Sequence, residues 1–107
     1  MSGGYFDYNQ HRIKDIHESI QEEIDNNGKL IPEEERESNR EWYEKYPDDK
    51  YYPEYPNEIL SEFKKAVKIL KKAEIYTKRI DWYLSGDDGE ESFLLRLKKE
   101  LDALNTE

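Results

Sequence analysis

Apolar residues recur every three or four positions in three separate stretches of the chain, with charged residues between them. This spacing places the apolar side chains on one face of an α-helix. The first stretch covers residues 10–27 and ends before Gly28, the second covers 57–84 after Pro56, and the third covers 88–104. We therefore predict three amphipathic helices, of which the second is about 40 Å long.

The segment between the first two helices has a different composition. Pro32 followed by three glutamates is typical of a first helical turn, because proline is tolerated there and carboxylates favour the positive end of the helix dipole. This predicts a helix over 33–46. Residues 42–56 hold five tyrosines and three prolines, a proline density that excludes a continuous helix, so 47–56 is predicted to be an aromatic loop. The chain is thus expected to be one all-α domain, a small helical bundle built on a long central helix.

The formal net charge of −9 lies entirely in the first half of the chain. Residues 1–58 carry 7 basic and 16 acidic side chains, whereas residues 59–107 carry 10 of each. This acidity repels nucleic acid and anionic membranes at long range, so we expect a protein partner, no membrane binding and little direct binding of nucleic acid.

The chain has no cysteine, which excludes disulfides and thiol chemistry. It also shows no basic leader followed by an apolar run, and no apolar run long enough to span a membrane. These features predict a cytoplasmic protein.

Motifs for catalysis and metal binding are incomplete. Glu33, Glu34 and Glu37 match the EExxE half of the metal site of all-α nucleotide pyrophosphohydrolases, but the ExxD pair that such a site needs on the following helix is missing. His11 and His17 are six residues apart, so they do not share a helical face as paired metal ligands do. His17 is expected at the edge of the apolar face of the first helix. We predict no metal, no cofactor and no enzymatic activity.

The aromatic segment is the first candidate for a binding surface. We predict that a protein-contact surface consists of Trp42, Tyr43, Tyr46, Tyr51, Tyr52, Tyr55, Asp48 and Asp49. Exposed aromatic residues are enriched at protein interfaces, and the acidic residues among them favour a basic partner. In the alternative interpretation these tyrosines cover part of the long helix and keep their hydroxyls in water.

The basic side of the long helix is the second candidate. Six basic residues are expected to reach solvent there: Lys64, Lys68, Lys71, Lys72, Lys78 and Arg79. Such a stripe would bind a nucleotide, RNA or another anionic ligand. In the alternative interpretation it is a solvated face, neutralised by the acidic first half folding against it.

Three functional hypotheses follow from these surfaces. The leading one is a non-enzymatic regulator that binds another protein through the acidic first half and the aromatic loop, with its negative charge mimicking that of DNA. The second is a binder of an anionic ligand through the basic stripe. The third is a structural homodimer along Phe63, Leu70, Thr77 and Leu84, which share the heptad spacing of a coiled coil.

Two stretches, GGYFDYNQHRI at residues 3–13 and RIDWYLSGDDGEESF at 79–93, resemble segments of small uncharacterised proteins of bacterial chromosomes and phages. The resemblance covers the two ends of the chain and leaves out the Tyr/Pro segment. It implies a phage or mobile-element accessory protein, a class whose small acidic members often inhibit a host enzyme or act as its decoy. It implies no catalytic residue and no cofactor.

Overall fold

The long central helix organises the fold. The computed structural model describes residues 4–106 and contains α1 (Gln10–Asn26), α2 (Glu33–Glu37), α3 (Arg40–Lys45), a 3-10 helix (Pro47–Lys50), α4 (Asn57–Leu84) and α5 (Glu90–Asn105). Both α1 and α5 pack against α4. The predicted all-α fold is confirmed, and α4 has the predicted bounds.

The helices form a thin and elongated layer. The principal extents are 60 × 30 × 16 Å and the radius of gyration is 19.3 Å, whereas a compact domain of this length has a radius of gyration of about 13 Å. One helix with its side chains is about 10–12 Å across, so the molecule is little thicker than one helix. Among the described apolar residues only Val67 and Leu104 are fully buried. Polar contacts therefore determine much of how α1 and α5 are positioned on α4.

Asp81 on α4 holds the beginning of α1. Its side chain is 0% exposed and accepts hydrogen bonds from the backbone N–H of Phe6 at 3.0 Å and from the side-chain amide of Gln10 at 3.2 Å. Because α1 has no side-chain N-cap of its own, this carboxylate compensates the positive end of the α1 dipole from a neighbouring helix. Further along the same interface, His17, predicted at the edge of the apolar face, is buried, and its Nε2 lies 2.6 Å from Oε1 of Glu74.

Arg79 on α4 holds α5 and the turn that precedes it. The guanidinium is 4% exposed and lies 3.7 Å from a carboxylate oxygen of Asp88 and 3.4 Å from one of Glu100. Asp88 also accepts a hydrogen bond of 2.7 Å from Arg96. Arg79 and Asp88 are the buried members of this cluster, and the pair joins α4 to the turn before α5.

The predicted helix over 33–46 is wrong, because it is broken into α2 and α3. Asn39 has the non-helical dihedral angles φ −128° and ψ 38°. The hydroxyl of Ser38 donates a hydrogen bond of 2.9 Å to the carbonyl of Glu35 at the end of α2. Short polar side chains of this kind compete with the helix for its backbone groups, so the two adjacent residues end one helix before the next begins.

The last helix begins two residues later than predicted. Gly89 is its N-cap, and the Gly89 N–H donates to the hydroxyl of Ser92 at 3.1 Å. The side chain of Asp88 is turned inward to the two arginines. The predicted loop over 47–56 also begins with the turn of 3-10 helix.

Replacing Asp81 by Ala should leave the Phe6 N–H and the Gln10 amide without an acceptor. Hydrogen bonds to charged groups contribute about 1.5–3 kcal/mol each and two are lost, so we expect the free energy of unfolding to fall by at least about 3 kcal/mol in urea denaturation. The control is Asp87→Ala, which removes an exposed carboxylate from the adjoining turn and should change this free energy by less than about 0.5 kcal/mol. Equal losses in the two variants would contradict the role of Asp81 as an anchor for α1.

Candidate protein-interaction surface

Residues 32–49 form an acidic lobe that is closed at its base by its two flanking segments. The flanking segments are joined by three backbone hydrogen bonds: Ile31 N–H to Lys50 carbonyl at 2.7 Å, Tyr52 N–H to Lys29 carbonyl at 2.8 Å, and Gly28 N–H to Pro53 carbonyl at 3.0 Å. Leu30 and Tyr51 form an antiparallel bridge between them. Gly28 has a φ of +67°, which glycine adopts without strain and which turns the chain away from α1. We call this base the clasp.

The acidic lobe presents its charges to solvent. It carries eight carboxylates and three basic side chains, and no residue of α2, α3 or the 3-10 helix is buried. Asp48 and Asp49 are exposed in the 3-10 helix, as the predicted contact surface requires. A cleft of about 550 Å³ is lined by residues of both α2 and α3. The lobe therefore presents a cleft as well as a surface rich in carboxylates, and none of its helical residues is buried in a core.

Three of the six predicted aromatic contact residues are well exposed. Trp42 is 54% exposed and Tyr46 is 41% exposed, and their ring centroids lie 4.6 Å apart on α3 and just after it. The ammonium group of Lys45 lies 5.5 Å from the centroid of the Tyr46 ring. Tyr51, in the clasp, is 56% exposed. These rings are available to a partner, because the described contacts of the Trp42–Tyr46 pair are with each other and with a surface lysine.

The other three aromatic residues are half-buried, and Tyr55 joins the loop to α4 and to the end of α1. The Tyr55 ring packs edge-on against Phe63 of α4 with centroids 5.1 Å apart, and its backbone N–H donates to the side chain of Asn27 at 2.6 Å. Tyr43 and Tyr52 are also half-buried. The interpretation of these tyrosines as cover for the long helix thus applies to Tyr55.

The hydroxyls of Tyr52 and Tyr55 lie at the surface, and each donates a hydrogen bond to a carboxylate there. Tyr52 donates to Glu35 at 3.3 Å and Tyr55 donates to Glu23 at 3.0 Å. The hydrogen bond to Glu23 raises the pKa of Tyr55 above its usual 10.0. Partial desolvation and then the charge of Glu35 raise the pKa of Tyr52. The stabilisation from these two neutral tyrosines is therefore present below pH 10.0 and is lost as the pH rises through the higher pKa of the folded state.

The basic stripe of α4 is only partly the solvated surface that the sequence predicts. Four of its lysines are exposed: Lys64, Lys68, Lys72 and Lys78. Lys71 is half-buried. The placement of Arg79 in solvent is wrong, because its guanidinium is enclosed between α4 and α5 by Asp88 and Glu100. Lys78 also lies 4.0 Å from Glu100, so these pairs connect the stripe to α5 and not to the acidic first half.

The buried polar residues Asp81, Asp88 and Gln10 are absent from every sequence-predicted site. A weak signal exists for Asp81: it lies four residues after Thr77 and three before Leu84, within the face that the apolar spacing assigns to the interior. A carboxylate in that position has to find donors. Its donors come from a segment some 75 residues earlier in the chain, which no local pattern identifies.

Comparison of the chain with protein-family models, with curated proteins and with solved structures gives no match. Within residues 4–106, no helix is long and apolar enough to cross a membrane. The same residues contain no group of three or more His, Asp or Glu side chains placed to hold a metal ion.

Replacing Glu23 by Gln should lower the pKa of Tyr55 toward 10.0, because the substitution removes the negative charge that accepts the hydrogen bond of the Tyr55 hydroxyl. We expect this in an alkaline titration followed by NMR of ring-labelled tyrosine. Glu22→Gln removes the neighbouring exposed carboxylate, which does not bond to Tyr55, and should leave that pKa unchanged. An unaltered Tyr55 titration in Glu23→Gln would contradict the hydrogen bond.

Replacing Arg79 by Gln should destabilise the fold, because Asp88 and Glu100 lose their buried cation. Breaking a buried pair costs about 3–5 kcal/mol when the remaining charge has no other partner. Asp88 keeps its hydrogen bond from Arg96 and Glu100 is partly exposed, so we expect the free energy of unfolding in urea denaturation to fall by about 2–3 kcal/mol. Lys78→Gln is the matched control, since Lys78 adjoins the same Glu100 but is exposed, and should cost less than about 1 kcal/mol. Similar losses in the two variants would contradict the structural role of Arg79 beside Asp88 and Glu100.

Proposed function

We propose that the protein is a non-enzymatic regulator that binds another protein through its acidic lobe. The observation that carries the proposal is the exposed Trp42–Tyr46 pair, two large rings in contact with each other on a lobe whose helices bury no residue. Trp and Tyr are enriched among the residues that dominate binding energy at protein interfaces. Because these two rings are not part of a core, we propose that they anchor a partner.

The charge around these rings indicates the chemistry of the partner. Eight carboxylates on one short lobe complement a basic protein surface, and such complementarity speeds encounter and selects partners. In its finer form, the proposal is that the lobe occupies a basic surface where a host protein otherwise binds DNA. The resemblance of the chain ends to phage and bacterial proteins supports that form, and the lack of cysteine is in keeping with action in the cytoplasm.

The binding of an anionic ligand by α4 is the second candidate function. It is supported by the exposure of Lys64, Lys68 and Lys72. It is weakened by the burial of Arg79 and by the proximity of Glu100 to Lys78, because these leave a shorter stripe for phosphates to contact.

Trp42→Ala should remove the partner that the intact protein captures. The tagged protein is incubated with nuclease-treated native lysate, the stoichiometric partner is identified by mass spectrometry, and its affinity is then measured with the purified proteins. Truncating an aromatic anchor costs about 2 kcal/mol, which corresponds to about thirtyfold weaker binding. We also expect duplex DNA to compete with the lobe for this partner.

The control for this experiment is Tyr5→Ala, which removes a similarly exposed aromatic ring from outside the lobe. It should retain the partner at full affinity. Equal binding by Trp42→Ala and Tyr5→Ala would contradict the lobe as the contact surface. Recovery of nucleic acid or nucleotide without a protein, once nuclease is omitted, would favour the lysines of α4.

A further inference from the structure

A second apolar stripe runs along the side of α4 that is turned away from its buried residue Val67. The stripe consists of four residues that follow the three-and-four spacing of a coiled coil: Ala66, Ile69, Ala73 and Tyr76. Further along α4, Tyr83 packs edge-on against Phe93 of α5 with ring centroids 5.2 Å apart, so that end of the helix is already covered. Tyr76 lies nine residues after Val67, which is about two and a half turns and therefore the opposite side of the helix. The stripe is offset from the predicted seam of Phe63, Leu70 and Thr77. Part of that seam is already covered, since Phe63 packs against Tyr55.

The two large residues of the stripe are exposed, and the molecule has more surface than its size requires. Ile69 is 66% exposed and Tyr76 is 38% exposed. The accessible surface of the chain is 8215 Å², whereas a compact monomer of this mass has about 6,300 Å². A standard dimer needs about 600–1,000 Å² from each partner. The elongated molecule as a whole therefore exposes more surplus surface than one such interface buries.

We infer that a second copy of this chain covers the stripe, with the two α4 helices antiparallel. Small and large residues alternate along the stripe, so a two-fold axis between positions 69 and 73 places Ala73 against Ile69 of the second copy. The same axis places Ala66 against Tyr76 of the second copy. Within these four residues each large side chain then meets a small one, which is the self-complementarity that a two-fold interface requires. A parallel pair would place alanine against alanine and leave gaps.

Lys72 gives this dimer a salt dependence that separates it from the partner complex of the acidic lobe. It precedes Ala73 at the edge of the stripe, so the two copies of Lys72 approach each other beside the axis. Salt screens this like-charge repulsion and should tighten the dimer. A lobe bound to a basic partner is held by opposite charges and should weaken in salt.

Sedimentation equilibrium over a range of protein concentrations tests the dimer. The mass should rise from 12.9 kDa toward twice that value. Ile69→Glu should raise the dissociation constant at least about tenfold, because a carboxylate would be buried without a partner. Leu95→Glu, at a largely exposed leucine of α5, should leave that constant unchanged. A monomer at all concentrations, or equal effects of the two variants, would overturn the inference.

Cysteine cross-linking tests the orientation, since the chain has no cysteine of its own. When Ile69→Cys and Ala73→Cys proteins are mixed and oxidised, an antiparallel dimer should yield the mixed disulfide. Predominant disulfides between identical chains would overturn the antiparallel arrangement.

Trp42→Ala separates this inference from the proposed function, because it should lose the lobe's partner and keep the dimer. If the protein is monomeric and Ile69→Glu instead loses the captured partner, the stripe belongs to that partner and the dimer is wrong.

Discussion

The fold depends on two buried charged residues of α4, Arg79 and Asp81. They are two positions apart, which is about 200° around a helix, so they face opposite sides of α4. Asp81 binds the start of α1 on one side, and Arg79 binds the turn before α5 on the other. Apolar burial is nondirectional and involves few fully buried side chains here. The two polar anchors therefore define where each flanking helix lies along α4.

This construction explains why the protein is thin. Each flanking helix is fixed to one side of α4 at a specific point, and no third long helix closes the remaining face among the described residues. The acidic segment, which has the length to form such a cover, is instead folded back on itself by the clasp. It becomes a lobe with exposed carboxylates, and the apolar stripe of α4 stays open. Both surfaces proposed for binding are thus exposed because the acidic segment folds back on itself at the clasp.

The sequence predicts the long helices well because their signals are local. Pro56 and Gly86 bracket the periodic stretch of α4, and its bounds follow directly. The break at Ser38 and Asn39 was not predicted, because the glutamates before it and the apolar residues after it both favour helix. The burial of Arg79 was not predicted either, since a charged residue in a basic stretch is ordinarily solvated and its two partners lie in the next helix.

The sequence predicted the aromatic segment as a candidate surface, but it did not show which of its residues are exposed. Six aromatic residues in one short segment indicate an interface or a cover, but only tertiary contacts show which residue does which. Tyr55 turns inward because Asn27, Glu23 and Phe63 surround it. Trp42 stays outward because it lies on a lobe whose helices bury none of their residues.

The lobe and the stripe are on separate elements, so occupation of one need not disturb the other. The proposed dimer would carry two acidic lobes joined through a rigid pair of α4 helices. A partner that is itself dimeric, or that offers two basic sites at a matching distance, would then bind the second lobe at a high effective concentration. A short lobe with one aromatic pair makes a modest interface on its own. Pairing two of them raises avidity without any new contact, and this gives the open face of α4 a role in the regulation proposed for the lobe.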